Sequence, residues 1–174
     1  MIVVADTGPI IALGTVGRIA LLEIFEAPIV IPPHVRRELL SKPTSETQEI
    51  ERSLSRRIQV RDVPSLREPT KEVVNRLDLG EQEAVSLAAG SDEETLLIID
   101  DQAGRRAARR LDCSVTGVIG VLLRAKEVDQ IEAVGPLLEE MRSAGYWLSD
   151  EIIEHARTMA DETTSPNNAD GDNP

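Results

Sequence analysis

Two short apolar segments of the chain each end on aspartate. Asp6 follows residues 2–5, and Asp100 and Asp101 follow residues 96–99. Fully apolar segments of this length are typical of central strands in a parallel sheet, which are buried on both faces. In open α/β sheets, ligands bind at the carboxyl ends of the strands. The sequence therefore predicts that these acids meet at one edge of a sheet, where their oxygens could hold a divalent cation.

Each of these aspartates also has a simpler interpretation. Asp6 could be the N-cap of the turn that follows it, although a carboxylate so close to a buried strand needs a partner or a metal ion. One of Asp100 and Asp101 could cap the next helix while the other faces the site. Alternation of side chains along the strand does not decide between the two.

Glu38 is a further candidate, in a helix predicted to begin at Pro33. Its spacing from Val35 and Leu39 places it on or near the buried face of that helix. From spacing alone, a solvated helical acid is the favoured interpretation of Glu38.

Two more acids lie at the start of a helix predicted over residues 81–89 and ended by Gly90. Glu81 shares a face with the apolar stripe of this helix, whereas Glu83 is rotated towards Leu87. Both could simply be first-turn acids that favour the helix dipole. Glu81 is preferred for the site, and Glu83 remains an alternative.

The elements that must position these acids alternate along the chain. Strands are predicted at residues 2–5, 28–32, 58–60, 96–99 and 114–116. Helices are predicted around 19–25, from 33, within 44–57, and at 81–89, after 101, at 117–126, about 130–143 and 149–160. Thr7-Gly8-Pro9 is interpreted as a turn. This order predicts an α/β fold, with a central parallel sheet, helices on both faces and a C-terminal helical hairpin.

The length of 174 residues favours one domain over residues 1–160. Residues 161–174 contain almost no apolar residue and are predicted to be a disordered acidic and polar tail. No apolar segment approaches the roughly 20 residues of a membrane-spanning helix, and no signal peptide is recognised. The single cysteine, Cys113, cannot form an internal disulfide, which fits a cytoplasmic protein.

The net charge of −12 is unusual for a protein that binds nucleic acid. Only three residues are lysine, and the other basic side chains are arginine. Excess acid with little lysine is typical of halophilic proteins, in which salt screens self-repulsion; an ordinary acidic protein explains it equally well. The chain contains no P-loop, no G-x-G-x-x-G and no G-x-S-x-G motif, so nucleotide binding and serine hydrolysis have no support.

Five motifs occur in a characteristic order: VVADTGPII, PPHVRREL, LGEQEA, IIDDQAGR and VTGVIGVLLRAK. In this order they resemble the PIN-domain family, and most closely a branch related to VapC-type toxin ribonucleases. The resemblance covers about residues 1–155. It implies a three-layer α/β/α sandwich and a metal-dependent nuclease, usually a ribonuclease.

The resemblance assigns the catalytic and metal-ligating acids to Asp6, Glu38, Glu81 and Asp101. The family's usual Thr-x-Asp at strand 4 is here Ile99-Asp100-Asp101, so the hydroxyl is missing and Asp100 could serve as a metal ligand instead. The family's third acid is often aspartate, whereas this chain offers Glu81 or Glu83. Candidate substrate contacts are Thr7, Arg105 and Thr116.

Carboxylate ligands favour Mg²⁺ or Mn²⁺ as the cofactor. Such ions lower the pKa of bound water and stabilise an in-line displacement at phosphorus. Arg105, one turn beyond Asp101, either holds the scissile phosphate or pairs with a nearby acid.

The expected partners are an RNA substrate, a small antitoxin protein and a second copy of the chain in a homodimer. Two alternatives remain: an inactive PIN-fold binding or regulatory module, and an acidic α/β phosphatase or receiver-like domain with an aspartate nucleophile.

Overall fold

The computed structural model describes residues 1–41, 47–65 and 68–162. Its five strands are β1 (Ile2–Ala5), β2 (Ile29–Ile31), β3 (Ile58–Val60), β4 (Thr95–Ile98) and β5 (Ser114–Thr116). Its α-helices are α1 (Thr7–Thr15), α2 (Pro33–Ser41), α3 (Thr47–Arg56), α4 (Thr70–Val74), α5 (Leu79–Ala89), α6 (Gln102–Arg110), α7 (Val118–Glu127), α8 (Gly135–Ser143) and α9 (Asp150–Met159). A 3-10 helix spans Ile19–Phe25.

All strand pairs are parallel, and the strand order is β3-β2-β1-β4-β5. From β1 the chain builds outward through β2 to β3, then crosses back to add β4 and β5 on the other side of β1. The direction of winding therefore reverses between β1 and β4. In sheets of this type the crevice at such a reversal is the usual ligand site, and it lies where Asp6 and Asp100 follow their strands.

Two hydrophobic layers cover the sheet, because successive strand side chains point to opposite faces. Val3 and Ala5 of β1 pack in a cluster with residues from α1, α2, α3, α7, α8 and α9. Ile2 and Val4 pack in a second cluster with residues from α4, α5 and α6. The predicted three-layer α/β/α sandwich with a parallel sheet is confirmed.

Local predictions were mostly correct, with three differences. The turn predicted at Thr7-Gly8-Pro9 is wrong, because α1 begins at Thr7 directly after β1. The helix predicted from about residue 130 begins at Gly135, after a segment in which Asp129 has a left-handed φ of 56°. Helix α4 was not predicted. The hairpin between α8 and α9 turns at Gly145, whose φ is 98°, as expected around this glycine.

The last described residue, Glu162, is held by hydrogen bonds. Glu162 accepts hydrogen bonds from Lys126 Nζ at 2.7 Å and from the backbone amides of Val134 at 2.7 Å and Gly135 at 2.8 Å. The last turn after α9 is thereby attached to the start of α8. The rest of the predicted tail, residues 163–174, lies outside the described residues. Within the described ranges, no helix is long and apolar enough to cross a membrane.

Candidate metal centre at the sheet edge

A pocket of about 310 Å³ lies at the carboxyl ends of β1 and β4. Its lining combines six acids with three other residues: Asp6, Glu38, Asp78, Glu81, Asp100 and Asp101, and Thr7, Gly8 and Tyr146. The structure therefore brings together every acid that the resemblance assigned, from four separate parts of the sequence. These side chains surround a space that is large enough for an ion and part of a ligand.

Asp6 is the most deeply buried of these acids, with 7% of its surface exposed. It occupies the N-cap position of α1, but its side chain makes no capping hydrogen bond. The pKa of Asp6 is raised to about 6, mainly by burial and also by the negative charges of Glu38, Asp100 and Asp101. A hydrogen bond from the Thr7 amide lowers the pKa in part. A buried carboxylate of this kind is stabilised by a cation more than by the surrounding protein.

Glu38 faces the pocket from the second turn of α2. Its carboxylate accepts a hydrogen bond from the hydroxyl of Thr7 and lies 3.4 Å from Nε2 of His34. Gly80 makes room for it, because a Cβ at that position would lie 2.6 Å from Oε2 of Glu38. Glu38 is therefore not a purely solvated helical acid, because its carboxylate contacts Thr7 and His34.

Glu81 and Glu83 have different surroundings although both are in the first turns of α5. Glu81 lines the pocket, and burial together with the charges of Asp101 and Asp6 raises its pKa to about 7. Glu83 instead accepts a hydrogen bond from the backbone amide of His34 at 2.8 Å, at the start of α2. This contact gives Glu83 a helix-capping position away from the pocket. The geometry thus favours Glu81.

Asp100 and Asp101 also accept hydrogen bonds from different groups. Asp101 is the N-cap of α6 and accepts from the Gly104 amide at 2.9 Å. Asp100 accepts from the Val118 amide at 2.9 Å through one oxygen and from the Tyr146 hydroxyl at 2.6 Å through the other. Burial raises the pKa of Asp100 even though these donors oppose it. Both acids line the pocket, and Asp101 is the more exposed.

Three positions in the site were missed from the sequence. Tyr146 reaches the pocket from the turn between α8 and α9, and no local pattern indicated that contact. Asp78 lines the pocket just before α5, where an acid before a helix was available as a signal. Gly117 leaves space for two charged groups, since a Cβ there would lie 2.3 Å from Oδ1 of Asp100 and 2.7 Å from Nη1 of Arg105.

The three predicted substrate contacts occupy two neighbouring spaces. Thr7 lines the acid pocket, whereas Arg105 and Thr116 line an adjoining groove. Arg105 donates from Nη1 to the carbonyl oxygen of Ile99 at 3.1 Å, and its charge lies close enough to lower the pKa of Asp100. Its guanidinium therefore contacts both the end of β4 and the open groove.

The donor set of the pocket fits a hard divalent cation, because it consists of carboxylate oxygens with mutual repulsion that a cation would relieve. Among the described residues, however, no three acidic, histidine or cysteine side chains are close enough together to hold an ion as they stand. Chelation by three of these acids therefore requires their side chains to move. Asp6 and Glu81 are two acids of the pocket whose pKa is raised both by burial and by neighbouring acids.

A family model described as a PIN domain matches residues 2–162. The chain belongs to the PIN-domain family. Searches of curated proteins and of solved structures gave no match. PIN domains are generally nucleases that act on RNA or other nucleic acid and typically use divalent metal ions.

Proposed function

We propose that this PIN domain is a ribonuclease that hydrolyses phosphodiester bonds with Mg²⁺ or Mn²⁺. The observation that carries the proposal is the convergence of Asp6, Glu38, Glu81 and Asp101 on one pocket at the reversal point of the sheet. Structural acids are normally neutralised by protein donors. Here four acids line one pocket, and the buried Asp6 has no side-chain capping bond.

In this proposal Asp6, Glu81 and Asp101 hold the ion, and Asp100 is an additional ligand candidate. The bound ion would supply an activated water and stabilise charge on the phosphate. Thr7 and His34 keep the Glu38 carboxylate directed at the pocket through their contacts with it. Tyr146 and the Val118 amide fix the orientation of Asp100.

Hydrolysis by water would form a new P–O bond from the water oxygen and break the bond from phosphorus to the 3′ oxygen. The proton lost by water balances the one gained by that leaving oxygen. The products are then a 5′-phosphate and a 3′-hydroxyl. Arg105 is placed beside Asp100 at the edge of the pocket, where its guanidinium can neutralise the substrate phosphate.

The test is cleavage of mixed RNA substrates in Mg²⁺, Mn²⁺ or EDTA by the wild type, Asp6→Asn and the exposed control Asp92→Asn. We expect activity only with metal, lost in Asp6→Asn and retained in Asp92→Asn. Undiminished cleavage by pure, folded Asp6→Asn would contradict the site. Covalently phosphorylated protein would instead identify the phosphatase alternative.

One observation favours an inactive binding module as the second candidate: the acids of the described chain do not form a ready three-ligand cluster. That candidate predicts a stable fold without metal-dependent cleavage under any of these conditions. A role as the toxin of a toxin–antitoxin pair, with a small antitoxin partner, and a homodimeric assembly are further proposals. Co-expression with the product of an adjacent gene and measurement of the mass in solution would test them.

A further inference from the structure

A larger groove of about 880 Å³ opens directly beside the acid pocket. The two spaces share Asp100, Asp101 and Tyr146 as common walls. The apolar part of the groove comes from α7, α9 and the turn before α9: Ile119, Leu123, Leu148, Ile152 and Met159. A ligand that entered the acid pocket would therefore extend into a mainly apolar channel.

Trp147 is the most unusual residue of this groove. It is the only tryptophan of the chain, and 80% of its surface is exposed. The residues on either side are held inward, since Tyr146 bonds to Asp100 and Leu148 is buried. In this turn after Gly145, the two neighbours of Trp147 are thus held inward, and the exposed indole of Trp147 lines the groove. Tryptophan is highly buried on average in proteins, so this exposure needs a reason.

The size and the polar side chains of the groove indicate what it would hold. Its volume lies within the range of about 300–1,000 Å³ that is usual for small-ligand pockets, which suits one or two nucleotides better than a folded partner. Arg105 and Gln102 line it where it meets the acid pocket, and Thr116 adds a hydroxyl. Asp100, Asp101 and Glu151 also line the groove. The guanidinium of Arg105, together with the cation proposed for the acid pocket, would therefore hold a phosphate at the junction, and the aromatic surface beside it would hold the attached base.

We propose that this groove binds an unpaired nucleobase adjoining the scissile phosphate, stacked on the indole of Trp147. The position of the scissile phosphate rests on the proposed function, whereas the stacking does not require cleavage. Base stacking on an aromatic side chain tolerates any base, because every base has a π-face. The subsite therefore selects single-stranded RNA over duplex without reading a sequence.

The single tryptophan makes the proposal directly measurable. Asp6→Asn protein in Mg²⁺ is titrated with a fluorescein-labelled eight-nucleotide single-stranded RNA and with a duplex of the same length. We expect saturable quenching of Trp147 fluorescence by the single strand only. By anisotropy, Trp147→Ala should weaken binding about 5- to 150-fold, the range that corresponds to stacking of one base. Trp147→Phe should weaken it less. Val60→Ala, an exposed apolar residue on edge strand β3, is the matched control and should bind unchanged.

Equal affinity of Trp147→Ala, or binding without quenching, would overturn the subsite. So would a dimer in solution that Trp147→Ala dissociates, because the groove would then be a protein interface. Absence of single-strand binding would also overturn it. Wild-type cleavage of the same RNA separates the two proposals: quenching without cleavage contradicts the nuclease, and cleavage without quenching contradicts the subsite alone.

Discussion

Replacing Asp6 by asparagine should stabilise the metal-free protein at neutral and alkaline pH. Asp6 is 7% exposed, and its burial is the main reason that its pKa is raised from 3.8 to about 6. Asparagine has nearly the same shape and no charge to desolvate. The folded state binds the proton of Asp6 more tightly than the unfolded state does, so ionised Asp6 lowers the free energy of unfolding. This loss of stability is absent below the unfolded pKa of 3.8, grows as pH rises towards about 6, and is complete above that value.

The magnitude follows from the difference between the two pKa values. A difference of about 2 corresponds to at most about 3 kcal/mol at pH 8, at 1.36 kcal/mol for each pKa unit. At pH 5 the same linkage gives roughly half of that, and near pH 3 almost nothing. For a protein of this size, about 3 kcal/mol corresponds to a melting temperature higher by roughly 6–12 °C.

The assay is urea and thermal unfolding in EDTA at pH 8 and pH 5, with wild type, Asp6→Asn and the exposed control Asp92→Asn. Only Asp6→Asn should gain stability, and the gain should be larger at pH 8. Millimolar Mn²⁺ should then raise the melting temperature of the wild type more than that of Asp6→Asn, because a ligand stabilises in proportion to its binding to the folded state. Loss of stability in EDTA together with a full Mn²⁺ effect would show that Asp6 is a structural partner and would refute this reasoning.

Three further outcomes are expected. Gly117→Ala should lower any cleavage at least tenfold, because its Cβ would displace Asp100 and Arg105; unchanged kinetics would show that their positions do not matter. Glu162→Ala should lower the free energy of unfolding in urea by about 1–3 kcal/mol, since it leaves buried donors unpaired. Deleting residues 163–174 should leave the urea midpoint unchanged. A larger loss of stability from the deletion than from Glu162→Ala would show that the tail packs on the domain. Raising KCl from about 0.1 M to 2 M should raise the melting temperature if self-repulsion is being screened, and a flat or falling value would count against halophilic adaptation.

The local elements could be predicted because their signals are local. The apolar segments around Val3 and Leu97 predicted strands, and Gly90 correctly marked the end of α5. Helix α1 was missed because Gly8 and Pro9 favour a turn in isolation. Proline is nevertheless tolerated in the first turn of a helix, where its missing N–H would have no partner, and the burial of Ile10 and Leu13 against β1 stabilises that helix.

The chemistry of the site was also visible in the sequence, but its arrangement was not. Strand-end aspartates and first-turn glutamates indicated candidate acids, since their types and spacings are short-range properties, whereas Glu38 became a candidate through the family resemblance. Sequence alone could not choose between Glu81 and Glu83. The structure favours Glu81, because the packing of α5 beside α2 directs Glu83 to the amide of His34 and leaves Glu81 in the pocket.

What the sequence by itself determined is the parallel α/β architecture and the set of acids at the strand ends, because both follow from hydrophobic pattern and residue type. Only the tertiary structure decided that β4 lies beside β1, which brings Asp6 and Asp100 to one crevice. It alone brought Tyr146 to Asp100, 46 residues away in the chain, and left Trp147 exposed at the groove. Strand order and such contacts depend on how both faces of the sheet are covered by helices, and that is a property of the packed molecule rather than of any segment.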